Sequence, residues 1–189
     1  MKQRTQIGFT LVELMITLVL AAVLLGVGVP ALSNFMSNSR MISITNDLVT
    51  ALQFARSEAV KRNNPVTVCI STNGTACTGG TNWENGWIVF NDVNGNAVVD
   101  GALIVRSRGA IGGGNTVRVT GGNVNNFILF TGNGFPRDTA NNILTGTFSV
   151  CDARGAGSDA NVNLTARTVQ VGASGRVRSS EVQGSVTCP

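Results

Sequence analysis

The sequence contains no histidine, no tyrosine and only four prolines, and Asp, Glu, Lys and Arg together supply just 13% of its 189 residues. That charged share is about half the usual one. Without histidine there is no His-based triad, no imidazole metal ligand and no residue of the type most often used as a general base. Without tyrosine, and with aromatic residues at 5%, platforms for stacking nucleic-acid bases are poorly supplied. Few charges beside 43% apolar residues exclude a disordered tail and a charged coiled coil. What the chain has in quantity is 23 Gly and 20 Asn, a composition that suits a mostly-β body with many turns. Its length suffices for one domain with a core.

The cations are twelve Arg and two Lys. Lys2 and Arg4 lie in the first eight residues, and residues 41–100 carry three cations against five carboxylates. Residues 101–189 carry eight Arg against four carboxylates, so the basic character belongs to the C-terminal half and is all Arg. Arg suits phosphate because its planar fork binds two oxygens, where Lys offers a point charge. The same charges also serve solubility on a charge-poor surface.

Residues 9–29 form an apolar run of 21 residues with one charge, Glu13. As a helix it spans roughly 30 Å, the hydrocarbon thickness of a bilayer. Pro30 ends the apolar stretch or kinks a helix that continues. Lys2 and Arg4 precede the run, which puts the N-terminus in the cytoplasm and the rest of the chain across the membrane. The small residue Gly8 comes before the run, not after it as in a secretory signal. A carboxylate so deep in a membrane helix costs free energy unless it is paired. Its natural partner is a cation at the same depth on a neighbouring chain.

Gly8-Phe9-Thr10-Leu11-Val12-Glu13 resembles the prepilin signature of type IV pilins and type II secretion pseudopilins. The resemblance implies that a prepilin peptidase cuts between Gly8 and Phe9, that Phe9 is then N-methylated, and that the apolar helix is retained. It also implies that Glu13 pairs with the N-terminal amine of a neighbouring pilin subunit and helps set the register of assembly.

After Pro30 the pattern remains helical through 31–63, with Ile44, Leu48, Leu52, Ala55 and Ala59 on one stripe and Asn63-Asn64-Pro65 as its stop. Residues 52–63, running into Pro65-Val66-Thr67-Val68-Cys69, and Asn85-Gly86-Trp87-Ile88-Val89-Phe90 are similar to GspH/FimT-type minor pilins and pseudopilins. β-like runs follow at 65–71, 86–91, 102–108, 116–120, 126–131, 146–151, 166–172 and 175–180. Gly172-Ala173-Ser174-Gly175 predicts a hairpin between the last two. With no helical crossovers, antiparallel pairing is expected. The expected fold is α+β and pilin-like: a long N-terminal hydrophobic helix whose second half packs on antiparallel β-sheets. The implied organisation is a leader at 1–8, the membrane and filament-core half of the helix at 9–36, and a periplasmic or extracellular body at 37–189.

The cysteines are Cys69, Cys77, Cys151 and Cys188, and disulfides are expected in an external body. Three connectivities are open. The favoured one joins Cys69 to Cys77 and Cys151 to Cys188, with chain-entropy gains of roughly 2.6 and 4 kcal/mol. A four-thiolate zinc site lacks C-x-x-C pairs. Asp92-Val93-Asn94-Gly95-Asn96, with Asp100, begins like a calcium loop, but Ala97 and Leu103 stand where Gly and Glu belong, and an Asx-rich turn is the favoured reading. No constellation for catalysis stands out, and no metal or cofactor is expected.

In Gly175-Arg176-Val177-Arg178 the two Arg side chains of a strand point to one face, about 7 Å apart, a spacing close to that of phosphates along a nucleic-acid strand. A solvated strand edge that discourages pairing is the alternative. The segment resembles the Gly-Arg-x-Arg motif of FimT-like minor pilins that bind DNA during natural transformation. That resemblance implies non-specific phosphate contacts to double-stranded DNA by Arg176 and Arg178, set up by Gly175, with Arg167 or Arg154 alongside if the fold brings them there. The implied location is the bacterial inner membrane before assembly and the pilus afterwards. An H-type pseudopilin of a type II secretion system is the rival expectation. Intact-mass measurement of membrane-extracted protein checks the processing step. The expected mature chain begins at a methylated Phe9, and one beginning beyond residue 30 contradicts it.

Overall fold

The computed structural model describes residues 8–101, 103–152, 154, 166–181 and 188. Lys2 and Arg4 of the expected leader, and Ala102 of an expected strand, lie outside these. The chain divides into two units, Met1–Ser39 and Arg40–Pro189. One helix, α1 (Leu11–Arg62), runs through Pro30 without a break. The ring removes a single N–H from the ladder, and such losses are tolerated in apolar membrane helices. In the first unit the helix exposes its side chains on every side, and it is long and apolar enough to cross a membrane.

Thr10 and Glu13 form a reciprocal capping box at the start of α1. The Thr10 backbone N–H and hydroxyl both donate to Glu13 Oε2 at 2.9 Å, and the Glu13 N–H donates to Thr10 Oγ1 at 3.3 Å. The Thr-x-x-Glu spacing signals this arrangement, and the sequence analysis had not read it.

In the second unit the helix buries Met41, Ile44, Thr45, Leu48, Ala51, Leu52, Ala55 and Ala59, which takes in all five residues of the expected stripe. Buried Thr45 is satisfied within the helix, its hydroxyl donating to the Met41 carbonyl at 2.8 Å. Asn63 and Asn64 close the end through bonds to the Val60 and Ala59 carbonyls. The strands are β1 (Val66–Ile70), β2 (Trp87–Asn91), β3 (Ile104–Arg108), β4 (Thr116–Gly122), β5 (Phe127–Phe130), β6 (Pro136–Arg137), β7 (Gly146–Cys151), β8 (Arg167–Val171) and β9 (Val177–Glu181). They form an antiparallel five-stranded sheet in the order β3-β2-β1-β5-β6 and an antiparallel four-stranded sheet in the order β4-β7-β8-β9. β6 was not expected: two residues are too short to display a periodicity. β4 runs on to Gly122 across an irregularity between Val119 and Gly121 that the alternation could not show.

Helix and both sheets share one core. Alternate residues of β1 (Val66, Val68, Ile70) join Leu48, Leu52 and Ala55 of the helix and Phe148, Val150, Val169 and Val171 of the second sheet. The other face of β1–β2 carries a smaller cluster of Cys69, Ile88 and Phe90. The Cys69–Cys77 disulfide lies there, at a Cα separation of 5.6 Å. Cys151 is joined to Cys188 at 6.0 Å, so the structure has the pairing favoured above.

The seam between the sheets is a 3₁₀ turn, Trp83–Asn85, that the sequence analysis did not anticipate. Trp83 is fully buried. Its indole N–H donates to the Asn125 carbonyl at 3.0 Å, and its ring meets Phe148 edge-to-face at a centroid distance of 5.1 Å. Next to it, Glu84 pairs with Arg118 of β4 and accepts the Val117 N–H. Trp83→Phe removes the bond to the Asn125 carbonyl and leaves a gap where the larger indole filled the core. It is expected to lower stability by about 1–3 kcal/mol, measured by urea unfolding of the detergent-solubilised chain.

Candidate nucleic-acid interface and assembly residues

The β8–β9 hairpin is built by local chemistry. Gly172 and Arg176 close it: the Gly172 N–H donates to the Arg176 carbonyl at 3.0 Å, and the Gly175 N–H donates to the Gly172 carbonyl at 2.8 Å. This is a β-turn followed by one left-handed residue, Gly175 at φ +75°, the usual form of a three-residue hairpin loop. Val177 then turns inward to the core, so Arg176 and Arg178 project from the opposite, solvated face. Among the described residues β9 pairs only with β8, at the edge of the sheet.

On that outer face the hairpin borders a polar depression of about 410 Å³, lined by Thr147, Gln170, Gly172 and Ser174 with Arg176 and Arg178. Neither Arg side chain forms a hydrogen bond or an ion pair among the described residues. Several other arginines are engaged. Arg108 pairs with Asp47, Arg118 with Glu84, Arg154 with Asp152 and Arg167 with Glu181.

The two arginines expected to help stand apart from the pair. Arg167 shares the strand face of Val169 and Val171, opposite to Arg178, and faces Glu181 across the ladder. Arg154 follows β7 at the end of the sheet remote from the 172–175 turn, since Gly146, not Cys151, lies opposite Val171. One cation that the sequence analysis passed over is next to the turn. Arg56 donates from Nε to the Gly134 carbonyl and from Nη2 to the Ser174 carbonyl, each at 3.1 Å. Only its long-range contacts reveal it.

The Asp92 loop is an Asx-rich turn. Buried Asp92 accepts the Thr67 hydroxyl at 2.7 Å and the N–H groups of Asn96 and Ala97 at 3.2 and 2.9 Å. Asp100 accepts the side-chain amides of Asn96 and Asn94, which hold its carboxyl below the usual carboxylate range. These oxygens are committed to the protein's own donors.

Family comparison is consistent with this architecture. A family model described as "Type II transport protein GspH" matches residues 45–175, and one described as "Prokaryotic N-terminal methylation motif" matches residues 3–29. The first covers more than half of the chain, and the chain belongs to the GspH family. Among solved structures it is similar to the type IV minor pilin FimU of Pseudomonas aeruginosa (strain PAO1). The P21 crystal form matches with 19% identity and a TM-score of 0.55 over 78% of this chain and 92% of that one. The P65 form matches with 18% identity and a TM-score of 0.51 over 74% and 91%. At such identities the likeness is one of fold. A search of curated proteins found no match. Together the family, the methylation motif and the fold make this a GspH/FimT-type pilin-like subunit.

The capping box gives Glu13 a role within its own chain as well as the one expected between chains. Glu13→Gln separates the two, because Gln also serves at the third position of a capping box but carries no charge. The expected outcome is an intact, inserted helix with impaired incorporation into filaments, read by immunoblot of sheared filaments. Normal incorporation would remove the ion pair from the account.

Proposed function

We propose that this chain is a minor type IV pilin that joins a pilus through its N-terminal helix and binds extracellular DNA through the Arg176–Arg178 edge for uptake in natural transformation. The proposed partners are other pilin subunits, the prepilin peptidase, the inner membrane before assembly and the phosphates of double-stranded DNA. The observation that carries the DNA reading is the state of the two arginines. They lie side by side on an exposed edge and their side chains are unpartnered among the described residues, in a protein that matches five other arginines with carboxylates. Unspent guanidinium groups bordering a concave polar surface suit a polyanion. The Gly8-Phe9 signature and the matched methylation motif support the assembly role.

A second reading, an H-type pseudopilin of a type II secretion system, is favoured by the description of the matching family. Under that reading the Arg pair protects a free strand edge.

Titration of the detergent-solubilised chain with duplex DNA at several salt concentrations distinguishes the two. A site touching two to four phosphates should bind with roughly micromolar or poorer affinity and a log–log salt slope of about −2 to −4. Unrelated sequences should compete equally, because phosphate contacts carry no sequence information. Replacing Arg176 and Arg178 together with Gln should remove most of the binding and lower transformation while the chain stays folded. Unchanged affinity and slope in that variant would exclude the edge as the site, and no binding by the intact chain at low salt would favour the secretion reading.

A further inference from the structure

We infer that Arg56 is the positioning residue of the Arg176–Arg178 edge: it fixes the β8–β9 turn in the geometry that presents both guanidinium groups, without contacting the anion itself. The inference rests on the DNA reading above and adds the part of the chain that makes the edge rigid.

Arg56 lies in the second half of α1, one residue after fully buried Ala55, and is itself half-buried. Its guanidinium bridges two separate turns, through the carbonyls of Gly134 and Ser174. The packing around it leaves no slack. A Cβ on Gly175 would lie 2.1 Å from the Gly134 carbonyl oxygen and 2.9 Å from Arg56 Nε. A Cβ on Gly134 would lie 3.2 Å from the same Nε and 3.1 Å from Val60 Cγ2. Both glycines are left-handed, at φ +75° and +77°, and the Gly134 turn is closed by its own 2.7 Å bond to the Thr131 carbonyl. Helix, 131–134 turn and 172–175 turn thus interlock on a single planar fork. A lysine ammonium cannot reproduce this, because its donors radiate from one point and do not form a fixed fork.

Its bonds distinguish Arg56 from the pair it positions. It borders a groove of about 620 Å³ with Val60, Arg176 and Val177, while Arg178 projects from the other face of β9. Arg56 is committed through Nε and Nη2 to the two turn carbonyls, whereas the side chains of Arg176 and Arg178 have no bond among the described residues. What it contributes is pre-organisation: two long side chains on a mobile hairpin would lose more freedom on meeting a phosphate pair than the same two on a fixed one.

The test uses the full chain in detergent micelles and a 30-base-pair duplex as probe, comparing the wild type with Arg56→Lys, Arg56→Gln and Gly175→Ala. DNA affinity is measured against salt, and amide hydrogen exchange is followed over 172–178. The Lys and Gln variants should weaken binding alike, by about tenfold, with an unchanged salt slope, because the phosphate contacts remain and only their placement is lost. Exchange over 172–178 should quicken about tenfold in both. Gly175→Ala should do the same with Arg56 in place, and it carries the test together with the Lys variant if the Gln variant fails to fold. Unaltered exchange in the Arg56 variants overturns the inference. So does a Lys variant that binds like wild type beside a Gln variant whose slope falls by about 0.9, the signature of a direct phosphate contact. A wild-type chain that binds no DNA overturns the functional reading, and the exchange measurement still decides whether Arg56 holds the turn.

Discussion

A helix that lies under two sheets at once needs small residues where the sheets close in and large ones where they diverge. The segment from Arg40 to Arg62 meets this with Ala51, Ala55 and Ala59, each at most 1% exposed, beside Ile44, Leu48 and Leu52. Together the small and the branched side chains fill the space between helix and sheets, as close packing requires. This burial determines the rest. It sets which face of β1 looks inward, it places Phe148, Val169 and Val177 in one core with the helix, and it fixes where Arg56 emerges from that core. A larger residue at 55 or 59 would move the sheets and the turns anchored to them, since overpacked cores shift backbone as well as side chains.

Charge is the scarce resource in this protein, and its distribution follows from that. Asp47, Glu84, Asp152 and Glu181 each meet an Arg, and Glu58 serves both Lys61 and Arg62. The Glu84–Arg118 pair is the most enclosed of those that link separate elements, with side chains 14% and 22% exposed, and it ties the 3₁₀ turn to β4. The others are partly solvated and contribute less, because exposed pairs are screened by water and salt. Arg56 solves the same problem differently, with two backbone carbonyls in place of a carboxylate. Among the described residues no carboxylate stands against it to weaken the positive field of the nearby edge.

What could be read from the sequence was what repeats locally. The apolar run, the stripe of the second half-helix and eight of the strands are signals carried by neighbouring residues, and reading them needs no long-range contact. The hairpin at 172–175 was legible because its turn chemistry is local. Trp83 was not legible as a core residue: it sits in a Gly- and Asn-rich connection whose burial depends on Asn125 and Phe148, far away in sequence. Arg56 was hidden for the same reason, since its partners lie 78 and 118 residues on. At the edge itself, the reading of Arg176 and Arg178 needed only strand alternation. The separate placement of Arg167 and Arg154 needed the register of β7, β8 and β9.

Two guanidinium groups are a small site for a polyanion, and the proposed function has to be consistent with that. The depression beside them offers hydroxyl and amide groups but no aromatic surface, so stacking adds nothing and affinity rests on phosphates alone. Such a site is weak and falls steeply with salt. On a filament the relevant quantity is different. DNA held at one subunit remains at high effective concentration for the next cation within reach, and avidity then grows without any new contact. Under that regime rigidity at each site is worth more than further charge. Extra Arg residues on a charge-poor surface would repel one another in the free subunit, whereas a fixed turn lowers the ordering cost at every contact along the DNA. A pair of exposed arginines on a hairpin held by Arg56 is the arrangement that this economy favours.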